Sequence, residues 1–503
     1  MKTNKNMKKY VLGLATIVAL CTVACRKIES DGQPIIIEVP GGNGGTTTGK
    51  TVRLTGSITK DTTLYAADNN IISDFVFVEN GAIITIEAGA TVKGDYSAGR
   101  ASTLIIKRGG KIMAKGTAEK PIVFTSSNPS PTSGDWGGVV LLGKASVNMN
   151  NATFMTGYSS STHLYRPEGG FADAASQAAG GWGDAIAPTA VDNDNSGTMQ
   201  YCRIEYAGNA YLPNQEINSL TMCAVGNGTT IDHIQVSFAK DDAFEWFGGT
   251  VNCKYLIAYK TQDDDFDTDN GFSGSVQFGL IIRDSSIADV SRSEGFESDN
   301  DADGTTNTPQ TKAVFSNVSI FGPRATSAYV GNSNYLGSAV QIRRNSSLSL
   351  YNSAIVGWTN GILIDAGTGR ATDLNIGSTA GNDSTLRIKG NVVFTNGFGT
   401  AMGYTASASA TGMTAAILNT WFTAVGNRVV TTAPEVNFTR PFNYSNPDWT
   451  PTGNSPLMNA AGVNFTDALI ASRTFITPVT FAGGLSAGGE YSIWHKGWTK
   501  FNY

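Results

Sequence analysis

Short stretches of apolar and β-branched residues recur along the chain from Thr51 onward, and glycine-centred turns separate them. Residues 74–80, 82–88 and 103–108 are three such stretches, and each is followed at once by a glycine. Runs of this kind predict short β-strands joined by tight turns. Helical periodicity is rare, and residues 413–425 are its best candidate. The pattern therefore predicts an all-β fold made of many short strands.

A short motif, in the order acid, any residue, phenylalanine, acid, occurs three times near the middle of the chain. It occupies residues 242–245, 264–267 and 294–297, so that the copies are 22 and 30 residues apart. Self-similarity at such a period predicts a solenoid whose coils stack on one another. Neighbouring strand residues face opposite ways, so the phenylalanines would face the core and the acids after them would face outward, about 4.8 Å apart. The outward column consists of Glu245, Asp267 and Glu297.

This column lies in a strongly acidic part of the chain, residues 241–303. That part holds fifteen carboxylates and four cations, a net charge of −11, whereas the whole chain carries −5. Like charges one strand spacing apart destabilise each other unless a cation lies between them. Ca²⁺ takes roughly six to eight hard oxygen ligands, so we expect a calcium site here; the alternative is a solvated acidic face. The predicted ligands are Asp242, Glu245, Asp264, Asp265, Asp267, Asp269, Glu294, Glu297, Asp299, Asp301 and Asp303.

Two loops carry part of a calcium-binding pattern. Residues 299–304 alternate oxygen-bearing side chains and end in a glycine, like the first half of an EF-hand loop, but Gln310 stands where the loop needs a glutamate. Residues 192–197 repeat the alternation. The alternative interpretation is that aspartate, asparagine and glycine are simply the residues that favour surface turns.

The first 25 residues have the pattern of a targeting segment. A lysine-rich start precedes an apolar run, residues 11–24, that is too short to span a bilayer. The run ends at Cys25 in a context that resembles a bacterial lipobox, although Thr22 stands where such boxes usually have leucine. The resemblance implies that Cys25 is lipidated and anchors a surface-exposed protein to the outer membrane. Residues 26–50 would form a flexible tether.

Three sequence segments resemble those of right-handed parallel β-helix lipoproteins of the Bacteroidetes type. They are residues 78–89, 115–125 and 134–139, and the tail at 494–501 is similar to the way those chains end. The resemblance implies a right-handed parallel β-helix solenoid over residues 51–400, with long loops and a C-terminal closing segment, 401–503, packed on it. The wider fold resembles pectate lyases and other β-helices that act on polysaccharides.

That wider resemblance suggests a calcium-dependent polysaccharide lyase. In such a reaction calcium acidifies the carbon next to a uronate carboxylate, and a lysine or arginine removes the proton. Lys260, or Lys240, is the candidate base, and Arg343 and Arg344 are candidate substrate clamps. A lysine beside so many carboxylates would be held protonated, which works against it as a base.

Two other functions fit the same residues. Aromatic side chains such as Trp246 could line a groove beside the acidic column, so that the protein binds extracellular glycans without cleaving them. Alternatively, calcium could have a purely structural role and cross-link the coils, while the loops contact a partner such as an outer-membrane uptake receptor. We favour glycan binding or processing. The acidic net charge of −5 and the lack of a phosphate-binding loop or basic patch argue against nucleic acid as a partner.

Overall fold

A computed structural model of the protein describes residues 37–39, 49–98, 101–156, 158–169, 177–212, 215–326, 332–335, 337–377, 384–406 and 412–503. The described chain winds into a right-handed parallel β-helix, as predicted. Each coil adds one strand to each of three faces, and strands of successive coils pair in parallel because the chain returns to the same face after one full turn. The predicted lipidation site, Cys25, lies outside the described residues.

The first face runs along the whole stack and carries the acidic column. Successive coils place one strand each on this face, in parallel register with the strand of the coil before. Its strands are β7 (Thr103–Ile106), β10 (Gly138–Leu142), β16 (Leu220–Cys223), β18 (Phe244–Phe247), β20 (Phe266–Asp269), β22 (Phe296–Ser298), β24 (Ser338–Ile342), β27 (Asn360–Ala366) and β30 (Thr400–Ala406).

The other two faces share several long strands that bend at a corner. On the second face alone lie β3 (Thr62–Leu64), β5 (Ile83–Ile86), β8 (Lys111–Lys115), β25 (Ser349–Tyr351) and β28 (Ile388–Lys389). On the third face alone lie β6 (Thr91–Gly94), β9 (Ile122–Ser126), β26 (Ala354–Val356), β29 (Val392–Phe394) and β31 (Arg428–Val430). The strands that span both are β13 (Gly197–Glu205), β17 (Thr230–Ser237), β19 (Asn252–Tyr259), β21 (Ser275–Ile282) and β23 (Val314–Phe321).

The remaining strands start the stack or leave it. The first coils contain β2 (Thr51–Ile58) and β4 (Asn69–Val78), which span the third and first faces, and β1 (Ile37–Val39), within the predicted tether, pairs with β2 antiparallel. Small antiparallel pairs lie in the loops: β11 (His163–Tyr165) with β12 (Gly180–Trp182), β14 (Ala210–Leu212) with β15 (Gln215–Glu216), and β32 (Phe438–Arg440) with β33 (Asp448–Pro451).

The core is filled by side chains that stack from coil to coil. Phe244, Phe266 and Phe296 lie in one register on the first face, are fully buried, and pack edge to face with ring centroids 5.4 and 5.1 Å apart. The inward phenylalanine column predicted from the repeated motif is therefore confirmed. On the third face Cys202, Ile234 and Leu256 likewise lie in one register and are fully buried.

A short helix closes the C-terminal end of the core. Helix α1 (Ala415–Ala424) coincides with the predicted helical segment, begins after Thr414, whose hydroxyl accepts from the Ile417 amide, and buries Leu418, Trp421 and Phe422. The other helices are α2 (Pro434–Asn437), α3 (Ala468–Ala471) and 3₁₀ turns at Thr372–Asn375, Pro456–Met458, Ala460–Gly462 and Glu490–Ser492. None of the helices in the described chain is long and apolar enough to cross a membrane.

The chain after β31 runs back along the outside of the stack. This closing segment starts beyond Val430, because β31 still pairs with β29 as part of the stack, past the predicted boundary at residue 400. Amide side chains of the coils hold its backbone: Gln277 donates to the Thr477 carbonyl (2.7 Å) and accepts from the Thr477 amide (2.8 Å). Gln235 likewise donates to the carbonyl of Lys500 and accepts from its amide. The segment is thus pinned to the coils at defined positions.

Candidate metal centre

The strand register brings the predicted acidic column together. Glu245 of β18 pairs with Asp267 of β20, which pairs with Glu297 of β22. The column is limited to these three coils, since Thr221 precedes it in β16 and Gln341 follows it in β24. Three carboxylates therefore follow one another at the strand spacing of about 4.8 Å.

A second acidic row lies where each coil turns onto the first face. The amide of Asp242 donates to Asn218 Oδ1 (3.1 Å), that of Asp264 to Asp242 Oδ1 (2.9 Å), and that of Glu294 to Asp264 Oδ1 (2.6 Å). Each side chain thus satisfies a backbone donor of the next coil with one oxygen. In the first of these coils the acceptor is the amide oxygen of Asn218. This ladder of hydrogen bonds from backbone to side chain therefore requires a carbonyl-type oxygen at each step and not a negative charge.

The two rows together form three groups of carboxylates that can each hold a metal ion. In each group one oxygen from every member lies within 4.8 Å of the others. The groups are Asp241, Asp242 and Asp263; Asp242, Glu245 and Asp267; and Asp264, Glu294 and Glu297. The second and third share no residue, so two ions can be held at once without a common ligand.

Two buried oxygens in these groups have no donor among the described residues. They are Oδ1 of Asp267 and Oε2 of Glu294, a side chain that is only 1% exposed. A buried carboxylate oxygen without a partner is costly, and a cation or a proton removes that cost. The donor set, all hard carboxylate oxygens with no thiolate or imidazole, suits Ca²⁺ or Mg²⁺ better than a transition metal.

The electrostatics of the groups also favour a cation. Burial first, and then neighbouring carboxylates, raise the pKa values of Asp242, Glu245, Asp264, Asp267 and Glu294 well above their ordinary range. Burial raises the pKa of Glu297 to about 7, although Arg343 acts to lower it. Raised pKa values favour the uptake of protons when no cation is bound, and a bound divalent ion would replace such protons.

An open cleft of about 370 Å³ gives access to the groups. Its lining contains one lysine, Lys240, within the part of the chain that the structure describes, and Val290 at the cleft is 84% exposed. The lining carboxylates are Glu168, Glu216, Asp241, Asp242, Glu245, Asp263, Asp264, Asp267, Asp289 and Glu297. A solvent-accessible space with this lining is suited to cations and, through them, to anionic ligands.

The predicted base, Lys260, does not line this cleft. Its Nζ pairs with Asp284 at 3.0 Å and lies over the Tyr444 ring, on the side of the closing segment. Burial acts to lower the pKa of Lys260, but the hydrogen bonds and charges of Asp284 and Tyr259 together outweigh it and the pKa is raised. A lysine held protonated in this way is a poor base, whereas Lys240, the alternative candidate, lines the cleft.

The predicted clamps Arg343 and Arg344 close one end of the acidic column. Arg343 pairs with Glu297 and, at 2.9 Å, with Asp299, and Arg344 pairs with Asp299 at 2.9 Å. Asp299 is therefore occupied by two guanidinium groups and belongs to none of the three groups. Burial first, and then the charge of the neighbouring Asp299, raise the pKa of Asp269 well above its ordinary range.

Three of the predicted site residues have structural roles instead. Trp246 is fully buried and packs on Phe272 with centroids 5.4 Å apart, so its proposed place in a substrate groove is wrong. Asp265 is buried in an ion pair with Arg283 at 3.0 Å, not in a metal group. Asp301 accepts from the amide of Thr305, at 3.0 Å, and caps its own turn.

The two loops with a partial calcium pattern likewise use their carboxylates for turns. Asp301 also accepts from the amide of Asp303, whose side chain is exposed and outside the three groups. In the other loop Asp194 pairs with Lys144 at 3.0 Å, and Asp192 accepts from the amide of Ser146 at 2.9 Å. The turn interpretation therefore explains these loops.

Sequence reasoning missed part of the cleft. Asp241 and Asp263 precede Asp242 and Asp264, so a repeated pair of aspartates one coil apart was a signal for them. Asn218 lies one coil before Asp242, and counting back by a coil length would have found it. Glu168 and Glu216 come from loops outside the stack, for which the repeat carries no signal.

Comparison with protein families agrees with this architecture. A family model described as a pectate-lyase like beta helix domain matches residues 56–435. The chain belongs to this family. No curated protein and no solved structure matches the chain. As a member of the pectate-lyase-like β-helix family the protein has a fold associated with glycans, and its acidic cleft lies on a face formed by successive coils.

Proposed function

We propose that the acidic cleft binds Ca²⁺ and, through it, the carboxylates of an extracellular glycan. The observation that carries the proposal is the set of three carboxylate groups with two unpartnered buried oxygens, on a β-helix of the pectate-lyase-like family. A cleft with ten carboxylates and one lysine repels a polyanion on its own. A divalent ion held in it reverses the local charge and can bridge to uronate groups.

The proposed cellular setting follows from the N-terminal sequence. We infer from the targeting segment and Cys25 that a lipid anchor holds the protein on the outer membrane. A surface location gives the cleft access to glycans outside the cell. A role as an accessory protein of an outer-membrane uptake complex is compatible with this setting, because such a complex also needs a surface subunit that holds the glycan.

A lyase is the second candidate, and Lys240 favours it. This lysine lines the same cleft as Asp241, Asp242 and Asp263, so calcium-bound uronate and an amine would meet in one space. When bound, calcium would supply the acidification of the proton next to the carboxylate. With calcium neutralising the surrounding carboxylates, the neutral amine of Lys240 would accept that proton, in the role first assigned to Lys260. The electron pair would form the double bond of the unsaturated uronate while the glycosidic C–O bond breaks, and the leaving oxygen would take a proton from water.

Binding of acidic polysaccharides in gels tests the proposal. We expect polygalacturonate or alginate to retard the protein with Ca²⁺ present and not with a chelator, whereas dextran has no effect in either case. The variant with Asp242→Asn and Asp264→Asn removes a carboxylate from each of the three groups and should lose this retardation, whereas the Asp303→Asn control should keep it. Equal retardation with and without calcium would contradict a metal-mediated site.

The same samples separate binding from cleavage. Elimination leaves an unsaturated uronate that absorbs in the ultraviolet, so a rise in absorbance with Ca²⁺ present identifies a lyase. That activity should vanish in Lys240→Ala while calcium-dependent retardation remains. Retardation without any rise in absorbance would leave glycan binding as the function and remove the lyase.

A further inference from the structure

A row of stacked aromatic rings lies at a different corner of the coils, where the second and third faces meet. Tyr201, His233 and Tyr255 occupy equivalent positions in β13, β17 and β19, each with a positive φ, between 50° and 59°. The His233 ring stacks on both tyrosines with centroids 4.3 Å apart, and Phe278 continues the row at 5.1 Å from Tyr255. The bend turns the rings outward from the core.

The closing segment places further rings against this row. Trp498 meets Tyr201 edge to face at 5.8 Å, and Trp494 lies 5.2 Å from Tyr255. The indole NH of Trp494 donates to the Gly484 carbonyl, and that of Trp498 donates to the Trp494 carbonyl. Both indoles are thus held in position before any ligand arrives, which lowers the entropic cost of binding.

A cavity of about 400 Å³ remains between the row and the closing segment. This volume is in the range of roughly 300–1,000 Å³ that small-molecule sites occupy. Besides the rings, its lining includes Ala118, Glu490, Ile493 and Lys496. It shares no lining residue with the acidic cleft.

The chemistry of the lining selects one class of ligand. The aromatic rings of the lining, apart from the buried Trp498, are partly exposed. Stacking covers ring faces within the row, so these rings offer mainly their edges to apolar C–H groups. Glu490 accepts hydrogen bonds and Lys496 donates them, and their charges balance. A cationic ligand would meet Lys496 and an anionic one would meet Glu490. A neutral ring with C–H faces and a rim of hydroxyl groups satisfies both parts of the lining.

We propose that this aromatic pocket is a second, metal-independent binding site for a pyranose ring of a neutral glycan. The site differs from the acidic cleft in position, in charge and in its independence of calcium. It would let the protein hold a neutral sugar at one corner of the coil while the cleft holds a uronate at another.

Tryptophan fluorescence titrations with chelator present test the site apart from the cleft. The full chain is titrated with neutral hexasaccharides of β-1,4-glucose, β-1,4-xylose, β-1,4-mannose and α-1,4-glucose. We expect saturable binding of at least one of them, weakened at least tenfold in Trp494→Ala and in Tyr201→Asn, where asparagine tolerates the positive φ. Tyr96→Ala, at a tyrosine 50% exposed elsewhere on the stack, is the matched control and should bind normally.

Two milder variants keep the test valid if the aromatic variants do not fold. Glu490→Gln and Lys496→Ala change exposed side chains of the lining and should weaken binding several-fold with an unchanged melting temperature. Absence of binding by all four oligosaccharides at millimolar concentration, or binding that none of the four pocket variants alters, would overturn the proposal. Because chelator is present throughout, either result leaves the calcium-dependent function untouched.

Discussion

At the scale of single residues, a buried ion pair lies directly behind the acidic cleft. Asp265 and Arg283 are both fully buried and 3.0 Å apart, and the guanidinium lies 5.2 Å from the Tyr335 ring. Arg283 also donates to the carbonyl of Asp263, a residue of the first carboxylate group. The arginine therefore neutralises one carboxylate and fixes the backbone that presents the others.

Removal of this arginine should destabilise the protein strongly. Arg283→Met leaves Asp265 charged and buried without a partner, and we expect a loss of about 3–5 kcal/mol in the free energy of unfolding in urea. Replacing both residues, Asp265→Leu with Arg283→Met, should recover much of that loss. Arg440→Met, which breaks an exposed pair with Asp448 at 3.6 Å, should cost less than about 1 kcal/mol. A similar cost for both single variants would contradict this account.

The alternation of inward-facing and outward-facing residues along a strand correctly predicted the orientation of the side chains in the repeated motif. It predicted that Phe244 faces the core and Glu245 faces outward. Trp246 is two residues from Phe244, so the same rule places it in the core, and its assignment to a groove ignored that rule. Asp265 could not be assigned in this way, because its partner Arg283 comes from the next turn of the chain.

At the scale of elements, the closing segment depends on amide side chains that project from the coils. Asn352 accepts from the Asn464 amide (2.6 Å) and donates to its carbonyl (3.1 Å), as Gln277 does with Thr477. A segment with little regular structure thus obtains backbone hydrogen bonds that it does not form internally. These bonds also position the indoles that cover the aromatic row.

Loss of one such amide should loosen the closing segment. Gln277→Ala leaves the Thr477 amide and carbonyl without their partners, and we expect a loss of about 1–3 kcal/mol in the free energy of unfolding. Limited proteolysis should then cut the segment near residue 477 sooner than in the unaltered protein. Gln200→Ala is the control, because its amide donates to Asp232 at 3.3 Å and not to the closing segment. Equal proteolysis of both variants would count against the pinning role.

The strands that contain the repeated motif could be predicted from the sequence, whereas the loops between coils could not. Copies of the motif at 22 and 30 residues gave the correct register of β18, β20 and β22. The loops that carry Glu168 and Glu216 have no period, so their approach to the cleft depends on tertiary packing.

At the scale of the whole molecule, the solenoid concentrates charge in a few coils. The column of Glu245, Asp267 and Glu297 spans three coils and ends at Thr221 and Gln341. The stability of a stacked repeat is approximately a sum over neighbouring coils, so repulsion between these three weakens the middle of the stack. A bound cation would turn that weak region into a cross-link between coils.

Calorimetric titration of the protein with Ca²⁺ tests this claim most directly. The informative variant combines Asp242→Asn and Asp264→Asn, which together remove a carboxylate from each of the three groups. At both positions asparagine keeps the acceptor for the backbone amide of the next coil, as Asn218 does in the preceding coil, but removes the charge. Asp303→Asn is the control. We expect saturable calcium binding by the unaltered protein and the control, and none by the double variant. No binding at millimolar calcium, or binding that the double variant retains, would contradict the metal centre.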